Sequence, residues 1–134
     1  MAYEFDSTLE TGHALIDSQH KELIKAVNDL YSACSAGKGR EEVLKTVDFL
    51  EKYTAKHFSQ EEELQVKYNY PDYVNHKRLH ETFKKTVHDF NQKINADGVT
   101  ISLFAEINHQ IGDWLFSHIK GQDKKVAAHI KANL

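Results

Sequence analysis

Apolar residues recur at three- and four-residue intervals along most of the chain, in four long stretches separated by short breaks. That period marks amphipathic helices, each turning one face to a core. The first predicted helix starts after Asp17 or Ser18, either a good cap, and runs to about Ser35. Its inner face is His20, Leu23, Ile24, Val27, Leu30 and Tyr31, and a Gly37-Lys38-Gly39 turn ends it. The second runs from about Arg40 to Lys67 with Val43, Val47, Leu50, Thr54, His57, Glu61 and Leu64 inward. Asn69-Tyr70-Pro71-Asp72 breaks the pattern, and Pro71 suits the first turn of a helix. The third helix, from about Asp72 to Asn95, presents Tyr73, His76, His80, Phe83, Val87, Phe90 and Ile94. Asp97-Gly98 turns the chain, and Thr100 or Ser102 can cap the fourth helix. Its stripe is Leu103 or Phe104, Ile107, Ile111, Trp114 or Leu115, then His118. Gly121 is expected to interrupt it, leaving Asp123 to Ala132 as a short final helix.

Four such helices joined by short loops predict an all-α fold, an up-down-up-down four-helix bundle. Residues 1–16, with Phe5, Leu9, Gly12 and Leu15, read as an extended arm packed on one end. Nothing in residues 1–134 resembles a domain linker, so a single domain is expected, of a size that can bury one core.

Charge narrows the functions. The 17 basic residues are offset by 20 acidic ones, a net −3 that gives no reason to expect nucleic acid. No apolar run approaches the roughly 18 residues of a membrane span, and Met1-Ala2-Tyr3-Glu4 has no signal pattern. The lone Cys34, on the inner stripe of the first helix, is expected to be a buried thiol. Without an internal disulfide the cytoplasm is the default compartment.

Nine histidines are many for a chain of 134 residues, and five of them lie in the apolar stripes. With two carboxylates they form the series His20, His57-x3-Glu61, His76-x3-His80 and His118-x4-Asp123. A buried unpaired carboxylate costs several kcal/mol or takes up a proton, so this many polar groups in one core require compensation. A cation cluster supplies it. Residues four apart share a helix face, so His57/Glu61 and His76/His80 can each converge on one centre. His118 and Asp123 are five apart, roughly 140° around an ideal α-helix. They converge only if the helix breaks between them, as Gly121 would allow. Zinc prefers four ligands and calcium or magnesium prefers oxygen, whereas mixed imidazole and carboxylate suits iron ahead of manganese or cobalt. Ferritin-like bundles use paired Glu-x-x-His motifs, and Glu10/His13 falls in the predicted arm, which disfavours that architecture.

The ligand series, together with Ile16-Asp17-Ser18-Gln19-His20-Lys21-Glu22-Leu23, His57-Phe58-Ser59-Gln60-Glu61-Glu62, Tyr70-Pro71 and Trp114-Leu115-Phe116-Ser117-His118-Ile119, resembles the hemerythrin family, in particular its single-domain bacterial members. The match runs from about Phe5 to the last helix. It implies two iron ions, one on His76, His80 and His118 and the other on His20 and His57. Glu61 and Asp123 would bridge them, with a hydroxide or oxide as third bridge. O2, or a peroxide or azide-like anion, would bind at the open position of the two-histidine iron. Phe58, Trp114, Leu115 and Ile119 are candidates for the apolar wall of that pocket. Gln65 stands where family members commonly carry a methionine, one turn after the bridging glutamate. It either reaches the pocket as a polar amide or turns outward at the bundle end. Phe5 replaces a tryptophan often found near the start, a change of packing. The resemblance thus implies a protein for O2 storage, delivery or sensing, more a binding protein than an enzyme. A di-iron peroxidase or oxidase consuming O2 or hydrogen peroxide, and an iron-handling or sensor module, share the same ligands. His13, His88, His109 and His129 fall outside the set, and no signalling domain or protein partner is legible.

Overall fold

The structure, a computed structural model, describes residues 3–37 and 39–134. Met1 and Ala2 of the predicted arm and Lys38 of the predicted turn lie outside the described residues. Three long helices come first: α1 (Ala14–Ser35), α2 (Arg40–Lys67) and α3 (Tyr73–Asp97). A fourth rod is assembled from α4 (Ile101–Glu106), a π-helical stretch at Ile107–Asp113, α5 (Trp114–His118), a second π-helical stretch at Ile119–Asp123, and α6 (Lys124–Ala132). No strand occurs among the described residues. Helix α2 packs on both α1 and α3, and the fourth rod lies against α1 and α3.

Local chemistry sets most boundaries. Thr100 caps α4 as expected, its hydroxyl accepting from the Leu103 N–H at 3.0 Å. Gly98 ends α3 with φ +74°, a backbone state that residues with a Cβ rarely adopt, while its N–H still reaches the Ile94 carbonyl. Helix α1 begins earlier than the sequence pattern predicts. His13 is its cap, Nδ1 accepting from the Ile16 N–H at 3.3 Å. Asp17, one of the expected caps, is instead inside the helix. Its carboxylate accepts from the Thr11 N–H and hydroxyl at 2.9 and 2.6 Å, and from the Gly12 N–H at 3.3 Å. An acidic group in the first turn can serve the incoming chain as well as the helix end. The segment before α1 is therefore shorter than the predicted residues 1–16. Leu9 is fully buried and Phe5 packs half-buried, but Leu15 is 46% exposed on α1. Tyr3 packs on Phe116 and beside Gly112, and its hydroxyl donates to Asp113 at 2.6 Å. Cys34 is half-buried rather than buried, at the rim of the core, and burial still pushes its thiol up.

The core falls into two parts. The larger includes Leu23, Val27, Leu30, Val43, Val47, Leu50, Phe58, Phe83, Phe90, Ile107, Ile111, Leu115 and Ile119. The smaller joins Ile16, Val126, Ala127 and Ile130, with Leu64, Tyr68 and Tyr70 packed against it. Buried polar residues lie between them along the chain. His20 falls between Ile16 and Leu23 on α1, Glu61 between Phe58 and Leu64 on α2, and Asp123 between Ile119 and Val126 on the fourth rod. A layer of polar atoms thus interrupts an otherwise apolar interior.

Candidate metal centre

Every member of the predicted ligand series comes together in that layer. His20, His57, Glu61, His76, His80, His118 and Asp123 are each at most 4% exposed. They fall into two groups whose donor atoms are close enough to share an ion: Glu61, His76, His80, His118 and Asp123, and His20, His57, Glu61 and Asp123. Only the two carboxylates belong to both.

Their oxygens divide between the groups. Glu61 Oε1 lies 2.8 Å from His76 Nε2 and 3.5 Å from His80 Nε2, while Oε2 lies 3.3 Å from His57 Nε2 and 3.9 Å from His20 Nε2. Asp123 Oδ1 lies 3.1 Å from both His76 and His118, and Oδ2 lies 2.8 Å from His20. Each carboxylate therefore turns one oxygen to each group.

The approach of His118 to Asp123 does not come from a broken helix. Gly121 sits inside the second π-helical stretch, and the rod continues through it into α6. In a π-turn the backbone bond runs from i to i+5, so residues five apart are brought towards one face. The His118–Asp123 spacing requires that local widening, and the structure supplies it without a break.

Side-chain contacts orient two of the histidines. His57 Nδ1–H donates to Gln19 Oε1 at 2.7 Å, and the Gln19 amide N–H donates in turn to Gln60 Oε1. His80 Nδ1–H donates to Glu62 Oε2 at 2.9 Å. Either bond leaves Nε2 with its lone pair directed inward. Sequence reasoning missed Gln19 and Glu62 as part of the site. The signal available was their position, one residue before His20 and one after Glu61, but sequence alone does not reveal which side chain across the bundle they meet.

The aromatic neighbours lie against the histidines. Phe58 stacks on His80 with centroids 3.7 Å apart and planes 1° apart, and its ring is also 5.8 Å from His57. Trp114 stacks on His118 at 4.6 Å, so it belongs to the three-histidine side. Leu115 and Ile119 are buried in the main core. Gln65 does not turn outward. It is fully buried, its amide N–H donating to Glu61 Oε1 at 3.4 Å, while Leu64 is only half-buried and faces the smaller core. On an ideal helix Gln65 lies about 40° round from Glu61 and Leu64 about 60° round on the other side, so the residue four on stays nearer the glutamate. His109 and His88 are exposed and stand apart from the ligand layer, and His129 bonds the Tyr68 carbonyl.

Electrostatics bind the set into one unit. Burial and the charge of Asp123 push the Glu61 carboxyl up, but contacts with His57, His76 and His80 outweigh them and hold it at about 2. Burial likewise opposes ionisation of Asp123, yet His118, His20 and His76 hold it well below the usual carboxylate range. Burial pulls His76 down, but Asp123 and Glu61 raise it from 6.5 to about 9.

These residues fit a cation. Both oxygens of Asp123, Glu61 Oε2, both nitrogens of His20 and His57 Nε2 are buried without a hydrogen-bond partner among the described residues. His118 Nε2 lies 3.1 Å from the Nε2 atoms of both His76 and His80. Lone pairs that converge so closely in a dry interior need a proton or a metal ion between them. His76 fixes the direction of that competition. Its raised pKa contributes stability to the metal-free chain below 6.5, and the contribution is lost as pH rises through about 9. A metal ion displaces the same proton, so affinity for iron(II) or cobalt(II) is expected to rise by up to about tenfold per pH unit between about 7 and 9 and then level off. Chelator competition across that range measures it, and a flat profile would show that His76 carries no proton in the metal-free chain.

Fold and site together define a metal-binding helical protein with a buried histidine–carboxylate centre. A family model described as the hemerythrin HHE cation binding domain matches residues 11–130. The chain belongs to the hemerythrin family. It is 37% identical over 126 residues to a bacteriohemerythrin of Stenotrophomonas maltophilia (strain R551-3), covering 94% of this chain and 80% of that one. A myohemerythrin of Theromyzon tessulatum is 27% identical over 123 residues, covering 92% and 89%. The crystal structure of a wild-type hemerythrin superposes with a TM-score of 0.84 at 28% identity, covering 96% of this chain and 98% of that one.

Proposed function

We propose that the protein binds O2 reversibly at a pair of iron ions. His76, His80 and His118 would hold one ion, His20 and His57 the other, with Glu61 and Asp123 bridging them beside an oxide or hydroxide. The observation that carries this reading is the division of both carboxylates, one oxygen to each histidine group. When bound, a ferrous pair supplies two electrons to O2 and recovers them on release.

The chain's own residues do the rest. Glu61 and Asp123, held ionised, offset the charge of two divalent ions inside an apolar bundle. The two-histidine group offers fewer protein donors, which leaves room there for O2 or for a peroxide or azide-like anion. Leu115 and Ile119 supply apolar wall, while Phe58 and Trp114 lie flat on His80 and His118 of the three-histidine half, Phe58 also reaching within 5.8 Å of His57. Such a wall excludes water and free protons from the bound ligand.

This reading takes residues 1–134 as one domain with the rods running up-down-up-down and the segment before α1 as an arm. Short connections support that course. Among the described residues no helix is long and apolar enough to cross a membrane, and the cytoplasm is the compartment proposed.

The test is optical. Anaerobically reduced, iron-loaded protein is exposed to O2, which is then removed under vacuum. A visible charge-transfer band that appears and fades establishes a reversible carrier or sensor. Direct passage to a stable diferric spectrum, with O2 or peroxide consumed on every reduction cycle, overturns it in favour of a redox enzyme.

Gln65 is the observation favouring that second reading, since it places a buried polar amide against a bridging carboxylate. Gln65→Met is expected to lengthen the lifetime of the O2 adduct severalfold by removing a group that recruits water. An unchanged lifetime would leave Gln65 with a packing role only.

A further inference from the structure

We propose that the side chains behind His80 and His57 tune the two halves of the centre in opposite directions. Glu62 makes the three-histidine half the stronger donor, and Gln19 keeps the two-histidine half the more Lewis-acidic. The inference rests on the two-ion reading above.

Of the five clustered histidines, two have a hydrogen-bonded partner behind the ring, and the two partners differ in charge. His80 Nδ1 faces Glu62 Oε2 at 2.9 Å, and the Glu62 side chain is 15% exposed. A carboxylate accepting an imidazole N–H forms a charge-assisted bond and draws the proton towards itself, which raises electron density at Nε2. His57 Nδ1 faces the neutral Gln19 Oε1 at 2.7 Å. Gln19 is itself buried, and its N–H is taken by Gln60, so this chain is uncharged along its whole length. It fixes the tautomer and ring plane of His57 without adding donor strength. The Nδ1 atoms of His20, His76 and His118 are buried with no hydrogen-bond partner among the described residues. One charged and one neutral support, one on each half, are therefore the outer contacts that distinguish the two halves.

The difference suits a centre in which one ion anchors the pair and the other exchanges a small ligand. Strong donors on the anchoring ion stabilise its higher oxidation state. Weaker donors on the other leave it in want of a further ligand.

The experiment uses the iron-loaded, full-length protein, Glu62→Gln and Gln19→Glu. Competition with a chelator of known affinity yields the two stepwise release constants. Glu62→Gln is expected to weaken the more tightly held ion by about 10–100-fold, with the other changed far less. Gln19→Glu is expected to strengthen the weakly held ion by a comparable factor, the Gln60 amide turning its NH2 towards the new carboxylate. A gain of that kind cannot arise from loosened packing. Wild-type protein depleted of one ion provides an independent reading, because X-ray absorption should then find three imidazoles on the remaining iron. Two ions bound with both variants unchanged, Gln19→Glu weakening both ions, or two imidazoles on the retained ion would each overturn the proposal. Wild-type protein that holds a single ion would instead overturn the two-ion reading on which it stands.

Discussion

Glu61→Ala is expected to strip the protein of its iron pair. Glu61 offers Oε1 to His76 and His80 and Oε2 to His57 and His20, so a single substitution removes an oxygen from both ions. It also removes half of the buried negative charge that the two carboxylates supply. Loss of an outer partner alone costs about 10–100-fold in metal affinity, and loss of a shared ligand should exceed that for each ion. The remaining five histidines would then share one carboxylate, Asp123, in a dry interior. Metal analysis after gel filtration, with the visible spectrum of the oxidised protein, measures the outcome. Retention of two irons per chain with an unchanged spectrum would sink the bridging role of Glu61.

Phe58→Ala is expected to cost about 3–5 kcal/mol of stability, the usual range for truncating a buried phenylalanine. The ring is fully buried and touches aromatic partners on several sides. It lies flat on His80 and meets Phe83 edge-on at 6.0 Å and Trp114 at 6.5 Å. Its removal leaves a cavity in contact with His80 and beside His57, where the surrounding helices can collapse only partly. The same cavity admits water, so the O2 adduct should decay faster than in the unsubstituted protein. Denaturant unfolding of the iron-loaded protein measures the first effect and the decay of the visible band the second. A loss under about 1 kcal/mol would mean that the site repacks and that Phe58 is not the partition between core and centre.

Much of this architecture was legible in the sequence because helices advertise themselves through a local period. The limits of α2 and the end of α1 fall where the apolar stripes and glycines predict them. The convergence of His57 with Glu61 and of His76 with His80 follows from the geometry of a single helix face. The start of α1 was less legible, because Asp17 looks like a cap and serves instead to tie down Thr11 and Gly12. The inward turn of Gln65 was also obscured. Leu64 has the apolar side chain that pattern reading prefers, and a small rotation of α2 exchanges the two positions.

By itself, then, the sequence determined the class of fold, the four rods and the presence of a polar layer that calls for cations, since each depends on spacing within one element. The tertiary structure decided the rest. It widened the fourth rod into a π-turn at Ile119–Asp123, so that Asp123 meets His118 without a break at Gly121. It also set Gln19 behind His57 and Glu62 behind His80. Those contacts join residues on different helices, and how two helices register against each other depends on the packing of both faces at once. No period within either helix carries that information.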